Sequence, residues 1–479
     1  MSDWESVIGL EIHVQLMTKS KIFSSSSTAY GAVPNEQASY VDLGMPGTLP
    51  VLNEEVIKKA IEFGLAINGQ ISKKSIFARK NYFYPDLPKN YQISQLDLPI
   101  VEGGYIKIQN DQNIAKRINI LRAHLEEDAG KSIHSKKDNC TFIDLNRAGT
   151  PLLEVVSEPD LRSANEAVEY MKKIHEIATF LKISDGNMQE GSFRCDANVS
   201  VKKYNDKELG TRTELKNINS FKFVEKAINF EIQRQIDLIE DGGRVIQETR
   251  LYDENKNITK SMRSKEEAND YRYFPDPDLL PIEINEKFIK EIKDGMPMLP
   301  DEKRVSYQED HALTNEQINI LLNNSDLSQF VDEVIKKSKI EPKKLMNYFI
   351  SSIYLKMNKE NLLIQDMTIT PEDFCKIINA VEDKKISKGN IKQIVDILLT
   401  TKGSTEKIIK KFAKAQDDDL ENIDSLIDKV ISDNPKQVDD YKKGKTKILG
   451  FFVGQVLKIA KDSDPGLIKE KIIKILDKV

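Results

Sequence analysis

A strict alternation of apolar and polar residues near the start of the chain constrains the fold more than any other feature. In the segment 8–16 every even position is apolar, whereas Glu11, His13 and Gln15 are polar. Successive side chains of a β-strand point to opposite faces of a sheet, so this period of two predicts a half-buried strand. Glu11, His13 and Gln15 then share its polar face.

Three later segments repeat the alternation and place charged residues on the polar positions. Their polar sets are Arg122, His124, Glu126 and Asp128; Arg194, Asp196, Asn198 and Ser200; and Arg212, Glu214 and Lys216. A single strand of this kind is typical of a solvated sheet surface, which usually carries Lys, Thr, Glu and Ser. The repeated mixture of Glu, His, Asp, Asn and Arg instead favours a concave active face.

The 479 residues are too many for one ordinary core and predict two to four domains. Short alternating strands and Gly/Pro turns continue to about residue 295, after which the apolar residues follow helical spacing. Thr370 and Pro371 form a helix start, and the segment 401–404 combines a helix end with a new N-cap. We expect an α+β chain with domains at 1–295, 296–402 and 403–479.

Composition excludes several classes of protein. The chain is 39% hydrophobic and 31% charged, which argues against disorder, and its net charge of −5 argues against non-specific coating of nucleic acid. Three widely spaced cysteines indicate a reducing compartment. Without a signal peptide or a membrane-length apolar run, we expect a cytoplasmic protein.

Carboxylates beside lysine and arginine suit Mg²⁺ and a triphosphate, because Mg²⁺ prefers oxygen ligands and cations neutralise phosphoryl charge. The candidate carboxylates are Glu11, Glu126, Asp196 and Glu214. The segment 128–132 ends like a P-loop, but Leu125 stands where the first glycine is required. No G-x-G-x-x-G, HExxH or CxxC motif is present, so an ATP site here must be built from a sheet and carboxylates, as in glutamine synthetase.

Two segments combine cations with aromatic residues at unusual density, 79–89 and 262–278. Such clusters stack a base or line a polar passage. They are also compatible with ordinary packing of the rings and solvation of the charges, and the residues alone leave both interpretations open.

These segments closely resemble members of the GatB/GatE family, whose GatB proteins are components of tRNA-dependent amidotransferases. The matching stretches are 9–16, 44–53, 79–89, 124–131, 190–200, 214–217 and 270–278, with a further match at 449–456. The resemblance implies a cradle domain related to the glutamine synthetase catalytic fold, with an antiparallel sheet, followed by an all-α helical domain and a YqeY-like tail domain.

The resemblance also implies an activity. The family uses ATP and Mg²⁺ to phosphorylate the side-chain carboxylate of glutamate on tRNA-Gln or of aspartate on tRNA-Asn, and ammonia then displaces the phosphate. A GatA-type glutaminase of the amidase family would supply ammonia through a channel, and a small GatC-type protein would complete a heterotrimer. The sequence lacks an amidase signature and an evident Cys-His-Glu glutaminase arrangement, which agrees with this division of labour.

The resemblance assigns roles to individual residues. Glu11, His13 and Glu126 would hold the metal, with Glu126 also catalytic, and Asp196 and Glu214 would support the metal or the nucleotide. Lys80 and Lys89 would lie at the kinase site or the channel mouth. The candidates for nucleotide binding are Arg194, Lys216, Glu248, Arg250, Arg263 and Lys265.

Lysines cluster toward the end of the chain, and Lys407, Lys410, Lys411 and Lys414 fall at helical spacing on one face. Composition alone favours a solvated face, whereas the resemblance favours a tRNA-binding face. Two other functions stay open: a free-standing ligase that uses ammonia directly, and a tRNA-binding scaffold whose polar sheet face holds no metal.

Overall fold

A computed structural model describes residues 3–135, 139–264, 271–360, 362–400, 403–459 and 465–477. They form two compact units. The first contains the described residues up to Tyr307 together with Ile318–Ser325, and the second contains Gln308–Gln317 and the described residues from Asp326 onward. Among the described residues, no helix is long and apolar enough to cross a membrane.

All the described strands lie in the first unit. They are β1 Trp4–Gln15, β2 Gln70–Ile71, β3 Lys74–Ser75, β4 Ala78–Asn81, β5 Tyr91–Ser94, β6 Val101–Glu102, β7 Tyr105–Gln109, β8 Ala115–Glu127, β9 Lys131–Ser135, β10 Cys140–Asp144, β11 Pro151–Ser157, β12 Phe193–Lys203, β13 Thr213–Lys216, β14 Glu248–Asp253, β15 Ile258–Ser264, β16 Phe274–Pro275 and β17 Ile282–Glu283.

The helices fall in both units and dominate the second. They are α1 Glu54–Ala66, α2 Ala164–Phe180, α3 Phe221–Glu240, α4 Glu286–Gly295, α5 Pro300–Glu309, α6 Asn315–Leu322, α7 Ser325–Lys337, α8 Pro342–Phe349, α9 Leu355–Glu360, α10 Pro371–Glu382, α11 Asn390–Thr400, α12 Thr405–Ser432, α13 Pro435–Lys442, α14 Leu449–Ile459 and α15 Pro465–Leu476. A sheet-containing unit followed by a helical unit confirms the α+β class.

The main sheet has the strand order β15-β14-β13-β12-β1-β11-β8-β6-β2, and β7 also pairs with β8. The expectation of an antiparallel sheet holds for its described strand pairs except one. β13 and β14 run parallel, because α3 connects them and returns the chain to the end of the sheet at which β13 began, as a parallel pair requires. The sheet is therefore mixed.

One face of the main sheet is the apolar core of the first unit. On β1 the residues Ile8, Leu10, Ile12 and Val14 are buried, and β12 contributes Phe193, Cys195, Ala197 and Val199 in the same phase. Helices α2 and α3 pack against this face. The alternation of apolar and polar residues predicted from the sequence on β1 and β12 is thus confirmed, and Cys195 belongs to the core.

A small sheet brings the two aromatic- and cation-rich segments together. β4 pairs with β5 on one side and with β16 on the other. Arg79 on β4 donates to the carboxylates of Asp276 and Asp278, both over 2.8 Å, which ties the end of the second segment to the first. Nothing in the sequence of the segments 79–89 and 262–278 indicated that they would pair.

The second unit is helical among its described residues, and its last part, here called the tail (α12 to α15), has its own apolar core. Ile427 on α12 packs there with Phe452 on α14 and with Ile468 and Ile472 on α15. The division into domains at 1–295, 296–402 and 403–479 stays a prediction. Thr405, at the start of α12, donates to Asp373 on α10 over 2.6 Å. A hydrogen bond therefore crosses the last predicted boundary, between residues 402 and 403.

Candidate active site

A row of ionisable side chains crosses four neighbouring strands on the polar face of the main sheet. His124 on β8 pairs in register with Glu154 on β11, Glu154 with His13 on β1, and His13 with Arg194 on β12. Paired residues of adjacent strands share a face and lie side by side. The register of the sheet, rather than any local motif, therefore assembles this row.

Two members of this row, His13 and Glu154, form a compact cluster with Glu126 of β8. The Nε2 atom of His13 lies 3.5 Å from a carboxylate oxygen of Glu154 and 3.7 Å from one of Glu126. His124 Nε2 lies 3.3 Å from the same oxygen of Glu154. Arg122 donates to Nδ1 of His124 over 3.4 Å, so Nε2 of His124 carries the hydrogen that faces Glu154.

Burial and mutual charge shift the pKa values in the cluster. Burial, together with the charge of Glu154, raises the pKa of Glu126. Burial also acts to raise the pKa of Glu154, but His124 and His13 outweigh it and hold that pKa well below its usual range. Burial acts to lower the pKa of His13, but Glu154 and Glu126 outweigh it and raise the pKa to about 9. The cluster therefore favours positive charge at its centre.

The donor atoms of His13, Glu126 and Glu154 fit a divalent cation. One ligand atom from each residue lies within 4.8 Å of the others. Two carboxylates and one imidazole suit Mg²⁺ or Mn²⁺, which accept oxygen ligands and keep several waters. The raised pKa of Glu126 points the same way, since a cation would relieve the repulsion between two buried carboxylates.

A second group of charges lies one register step further along the strands. Glu11 pairs in register with Asp196, and Asn198 donates to Glu11 over 2.9 Å. Lys216 lies 2.6 Å from Asp196 and 3.1 Å from Glu214. Burial, followed by the charge of Glu154, raises the pKa of Glu11. Glu11 thus lies beside the cluster. Among the described residues, the compact group of metal-binding donor atoms includes Glu154 rather than Glu11.

Arg194 and Lys80 bring positive charge to the edges of the cluster. Arg194 donates to Asp128 over 3.0 Å, and its Nε is buried without a hydrogen-bond partner. Lys80 on β4 has its ammonium group 5.0 Å from the ring centre of Tyr271. Burial acts to lower the pKa of Lys80, but Glu126 and its other neighbours outweigh it and raise that pKa. Lys80 is therefore a cation whose charge Glu126 stabilises.

Lys89 lies on the other side of β8 from the cluster. Its ammonium group pairs with Glu127, and the same oxygen of Glu127 accepts from the amide of Ile93 over 2.8 Å. Glu127 follows Glu126 directly, so the two carboxylates point to opposite faces, as the alternation predicts. The structure brings Lys80 to the cluster but does not bring Lys89 there.

The two proposed nucleotide ligands on β14 do not join the site. Arg250 pairs with Glu248 and lies 3.4 Å from the buried Glu231 of α3, on the helix-covered face of the sheet. Neighbouring residues of a strand point to opposite faces. Thr249 lies between Glu248 and Arg250, so it is Thr249 that points to the polar face, where its hydroxyl donates to Glu214.

Two further nucleotide candidates follow on β15 and after it. The side chain of Arg263 and the whole of Lys265 lie outside the described residues, so these two roles stay predictions.

Sequence reasoning missed Glu154, which is central to the cluster. Leu152 and Val156 flank it on the same face of β11, so the strand shows no polar alternation. A single carboxylate in an otherwise apolar strand was the available signal, because a buried charge requires partners. Asp128 was recognised only as a member of a polar face, and its ion pair with Arg194 was not foreseen.

Fold and site together define an α+β protein with a mixed sheet, on whose polar face a buried carboxylate–histidine cluster lies beside lysine and arginine. Residues 6–290 match the family model described as the GatB/GatE catalytic domain, and residues 329–476 match the one described as the GatB domain. The chain belongs to the GatB/GatE family, which confirms the resemblance found in the sequence.

Similar proteins align over nearly the whole chain. Proteins named as the B component of aspartyl/glutamyl-tRNA(Asn/Gln) amidotransferase are 54% identical in Alkalilimnicola ehrlichii and 52% identical in Halorhodospira halophila, each over 99% of this chain and 99–100% of the relative. The protein of the same name in Coxiella burnetii is 50% identical over 96% of both chains. The expectation of an enzyme component of this amidotransferase family is confirmed as well.

Proposed function

We propose that this chain activates the side-chain carboxylate of glutamate on tRNA-Gln, of aspartate on tRNA-Asn, or of both, and converts it to the amide. ATP phosphorylates the carboxylate, and ammonia then displaces the phosphate. The names of the relatives supply the aminoacyl-tRNA substrates. The polar sheet face supports the ATP-dependent step.

The observation that carries the proposal is the cluster of His13, Glu126 and Glu154, whose donor atoms lie within 4.8 Å of one another. These residues would hold Mg²⁺, which supplies charge neutralisation on phosphate oxygens when bound. The buried carboxylates fix the position of the charge, and the sheet register holds the imidazole between them. The site thus provides a preorganised electrostatic environment for phosphoryl transfer.

Cationic side chains of the chain would act on the phosphoryl group directly. Lys80 and Arg194 lie at the edges of the cluster, and Lys216 is held between Asp196 and Glu214. In phosphoryl transfer, the protein contributes chiefly positioning and charge stabilisation. Asp196 and Glu214 orient Lys216, and Glu11 adds negative charge beside these two carboxylates. This arrangement needs no P-loop, which the sequence lacks.

The remaining parts of the proposal concern the assembly. Ammonia would come from a GatA-type glutaminase of the amidase family, and a small GatC-type protein would complete a heterotrimer in the cytoplasm. The first unit would be a cradle of the glutamine synthetase type, followed by the helical and YqeY-like domains. The absence of a glutaminase signature in the sequence supports a division between two chains.

Reconstitution separates this proposal from its alternatives. The purified chain, alone and with its partner chains, is mixed with mischarged tRNA, ATP, Mg²⁺ and either glutamine or ammonium. We expect ADP and amidated aminoacyl-tRNA, with glutamine used only by the assembly. Full activity of the chain alone with ammonium, unchanged when the partner chains are added, would favour a free-standing ligase. Turnover that persists without the cluster would favour a tRNA-binding scaffold.

Substitutions in the cluster test its role in turnover. We expect Glu126→Gln and Glu154→Gln in the assembled complex to reduce ADP formation at least about a hundredfold, because each removes a charge that orders the metal and phosphates. Binding of tRNA should persist. Glu102→Gln is the matched control, since Glu102 is an exposed carboxylate on β6 of the same sheet. Unchanged ADP formation in Glu154→Gln would exclude the cluster from catalysis.

A further inference from the structure

A cavity of about 460 Å³ opens at the end of β1, next to the proposed active site. Its walls come from three parts of the chain: the segment 15–19 that ends β1, the loop segment 27–30, and the loop between α2 and β12 with Asp185, Glu190 and Ser192. Thr150, just before β11, completes the lining. The volume is in the range of pockets that hold small organic ligands.

Backbone hydrogen bonds hold the walls of this cavity in place. The amide of Gln15 donates to the carbonyl of Ser192, and the amide of Met17 donates to the carbonyl of Ile183, both over 2.8 Å. The hydroxyl of Thr28 donates to the carbonyl of Thr18. A cavity whose walls are tied to each other is preformed, so a ligand need not order the loops when it binds.

The lining suits a nucleoside better than a phosphate group. Asp185 and Glu190 are acidic, and Lys19 is the single basic residue among the described residues that line the cavity. Carboxylates accept hydrogen bonds from ribose hydroxyls and exocyclic amines but repel phosphate oxygens. Tyr30 is 76% exposed and Met17 is 51% exposed, and both belong to the lining. An exposed ring and thioether offer a surface on which a base stacks.

The distance from the cavity to His13 is similar to the length of the aminoacyl group whose carboxylate is to be activated. Gln15 lines the cavity and lies on the same face of β1 as His13, two residues away. Two residues of a strand span roughly 6.6 Å. A glutamyl group esterified to a ribose extends its side-chain carboxylate by a similar distance, about 6 Å over its covalent bonds. An aminoacylated ribose in the cavity therefore presents its carboxylate at the His13 cluster.

We propose that this cavity is an adenosine site and that the 3′-terminal adenosine of the aminoacyl-tRNA occupies it, an inference that rests on the proposed function. Both substrates of the proposed reaction contain adenosine, so ATP is the other source of the same chemistry. The spacing along β1 assigns the cavity to the aminoacyl end of the tRNA. That end must place its carboxylate against the cluster, whereas ATP must place its phosphates there.

A binding experiment with the assembled complex tests the assignment directly. Deacylated tRNA with and without its terminal adenosine is bound to the wild type and to Ala29→Trp, which fills the cavity from an exposed position of its loop. We expect loss of the adenosine to weaken wild-type binding about tenfold, the contribution of one stacked base, and to leave the Ala29→Trp complex unaffected. Equal sensitivity of the two complexes to the missing adenosine would overturn the proposal.

Steady-state kinetics distinguish the two sources of adenosine. Tyr30→Ala should raise the KM for aminoacyl-tRNA about tenfold and leave the KM for ATP unchanged. Tyr40→Ala is the matched control, because Tyr40 is 72% exposed and does not belong to the lining. A rise in the KM for ATP alone would overturn the assignment to tRNA. Absence of amidation by the wild type would instead contradict the proposed function, and the tRNA-binding experiment is independent of that outcome.

Discussion

His175 is a histidine of the first unit that the fold keeps away from the polar face. Its ring packs edge-on against Phe193 and Phe221, with ring centres 5.1 and 5.7 Å away. Its Nε2 lies 3.0 Å from the carbonyl of Gly186 and donates to it. Burial lowers the pKa of His175 from 6.5. The folded chain therefore keeps this ring neutral at pH values where the unfolded chain protonates it.

This lowered pKa predicts a loss of stability in acid. Below pH 6.5 the unfolded chain binds a proton at His175 that the folded chain does not, so the free energy of unfolding falls as the pH drops from 6.5 through the lowered pKa. Above pH 6.5 the contribution is fully present. We expect His175→Gln to show a smaller difference between its unfolding free energies at about pH 7.5 and about pH 5 than the wild type shows.

Urea denaturation followed by the fluorescence of Trp4, the single tryptophan of the chain, provides the measurement. His134→Gln serves as the control, since His134 is an exposed histidine on β9. It should retain the pH dependence of the wild type. The same pH dependence in His175→Gln and the wild type would contradict the assignment to His175.

At the scale of elements, periodicity predicted the phase of single strands but not their partners. The polar faces of β1, β8, β12 and β13 follow directly from alternation, which is a local property of the chain. The register that places His13 beside Glu154 depends on long-range pairing, which no local pattern records. This is why Glu154, which lies on an otherwise apolar strand, was missed.

Glu231 shows how one helix is fixed to the parallel part of the sheet. This fully buried carboxylate of α3 accepts from Thr213 on β13 and Thr259 on β15, both over 2.8 Å, and from Arg234 on its own helix. Arg250 on β14 lies 3.4 Å away. Burial acts to raise the pKa of Glu231, but Arg234 and the other donors outweigh it and lower that pKa. The carboxylate thus joins α3 to three strands.

Removal of this carboxylate should loosen the parallel edge of the sheet. We expect Glu231→Ala to reduce the free energy of unfolding by about 3 kcal/mol, because buried donors lose their partner and Arg250 loses one of its two carboxylates. Amide hydrogens of β13, β14 and β15 should exchange faster with solvent, as the mass spectrum of the labelled protein would show.

Glu225→Ala is the matched control for Glu231→Ala, since Glu225 is an exposed carboxylate on the same helix. Its free energy of unfolding should stay within about 0.5 kcal/mol of the wild-type value. A loss of stability in Glu231→Ala spread equally over all strands of the sheet would argue against a local role for this residue at the parallel edge.

At the scale of the whole molecule, the change from alternating to helical spacing of apolar residues predicted a sheet-containing part followed by a helical part. Within the second unit, α12 takes part in two environments. Its end contributes Ile427 to the apolar core of the tail, whereas Thr405 and Glu406 at its start contact α10 through Asp373 and Lys376. A cut before α12 would therefore disturb both neighbours, so charge substitution is a better probe of RNA contact than truncation of the tail.

We expect exposed lysines near the start of α12 to contact tRNA. Lys407, Lys410 and Lys411 are all exposed, and none belongs to the apolar core of the tail. We expect their joint replacement by glutamate to weaken tRNA binding by the assembled complex and to lower the slope of log K against log salt by about one unit for each lysine that contacts a phosphate. Glutaminase activity of the complex should persist, because ammonia production is assigned to a different chain.

The same change of charge elsewhere separates a phosphate contact from a general field effect. Lys287, Lys290 and Lys293 are exposed on α4 of the first unit, and their replacement by glutamate alters the net charge equally. A field effect acts through the net charge and would weaken binding similarly in both variants, with similar salt slopes. A contact on α12 predicts the larger loss of affinity and the smaller salt slope for the α12 variant alone. Equal losses would remove the tail helix from the tRNA interface and return its lysines to a solvated surface.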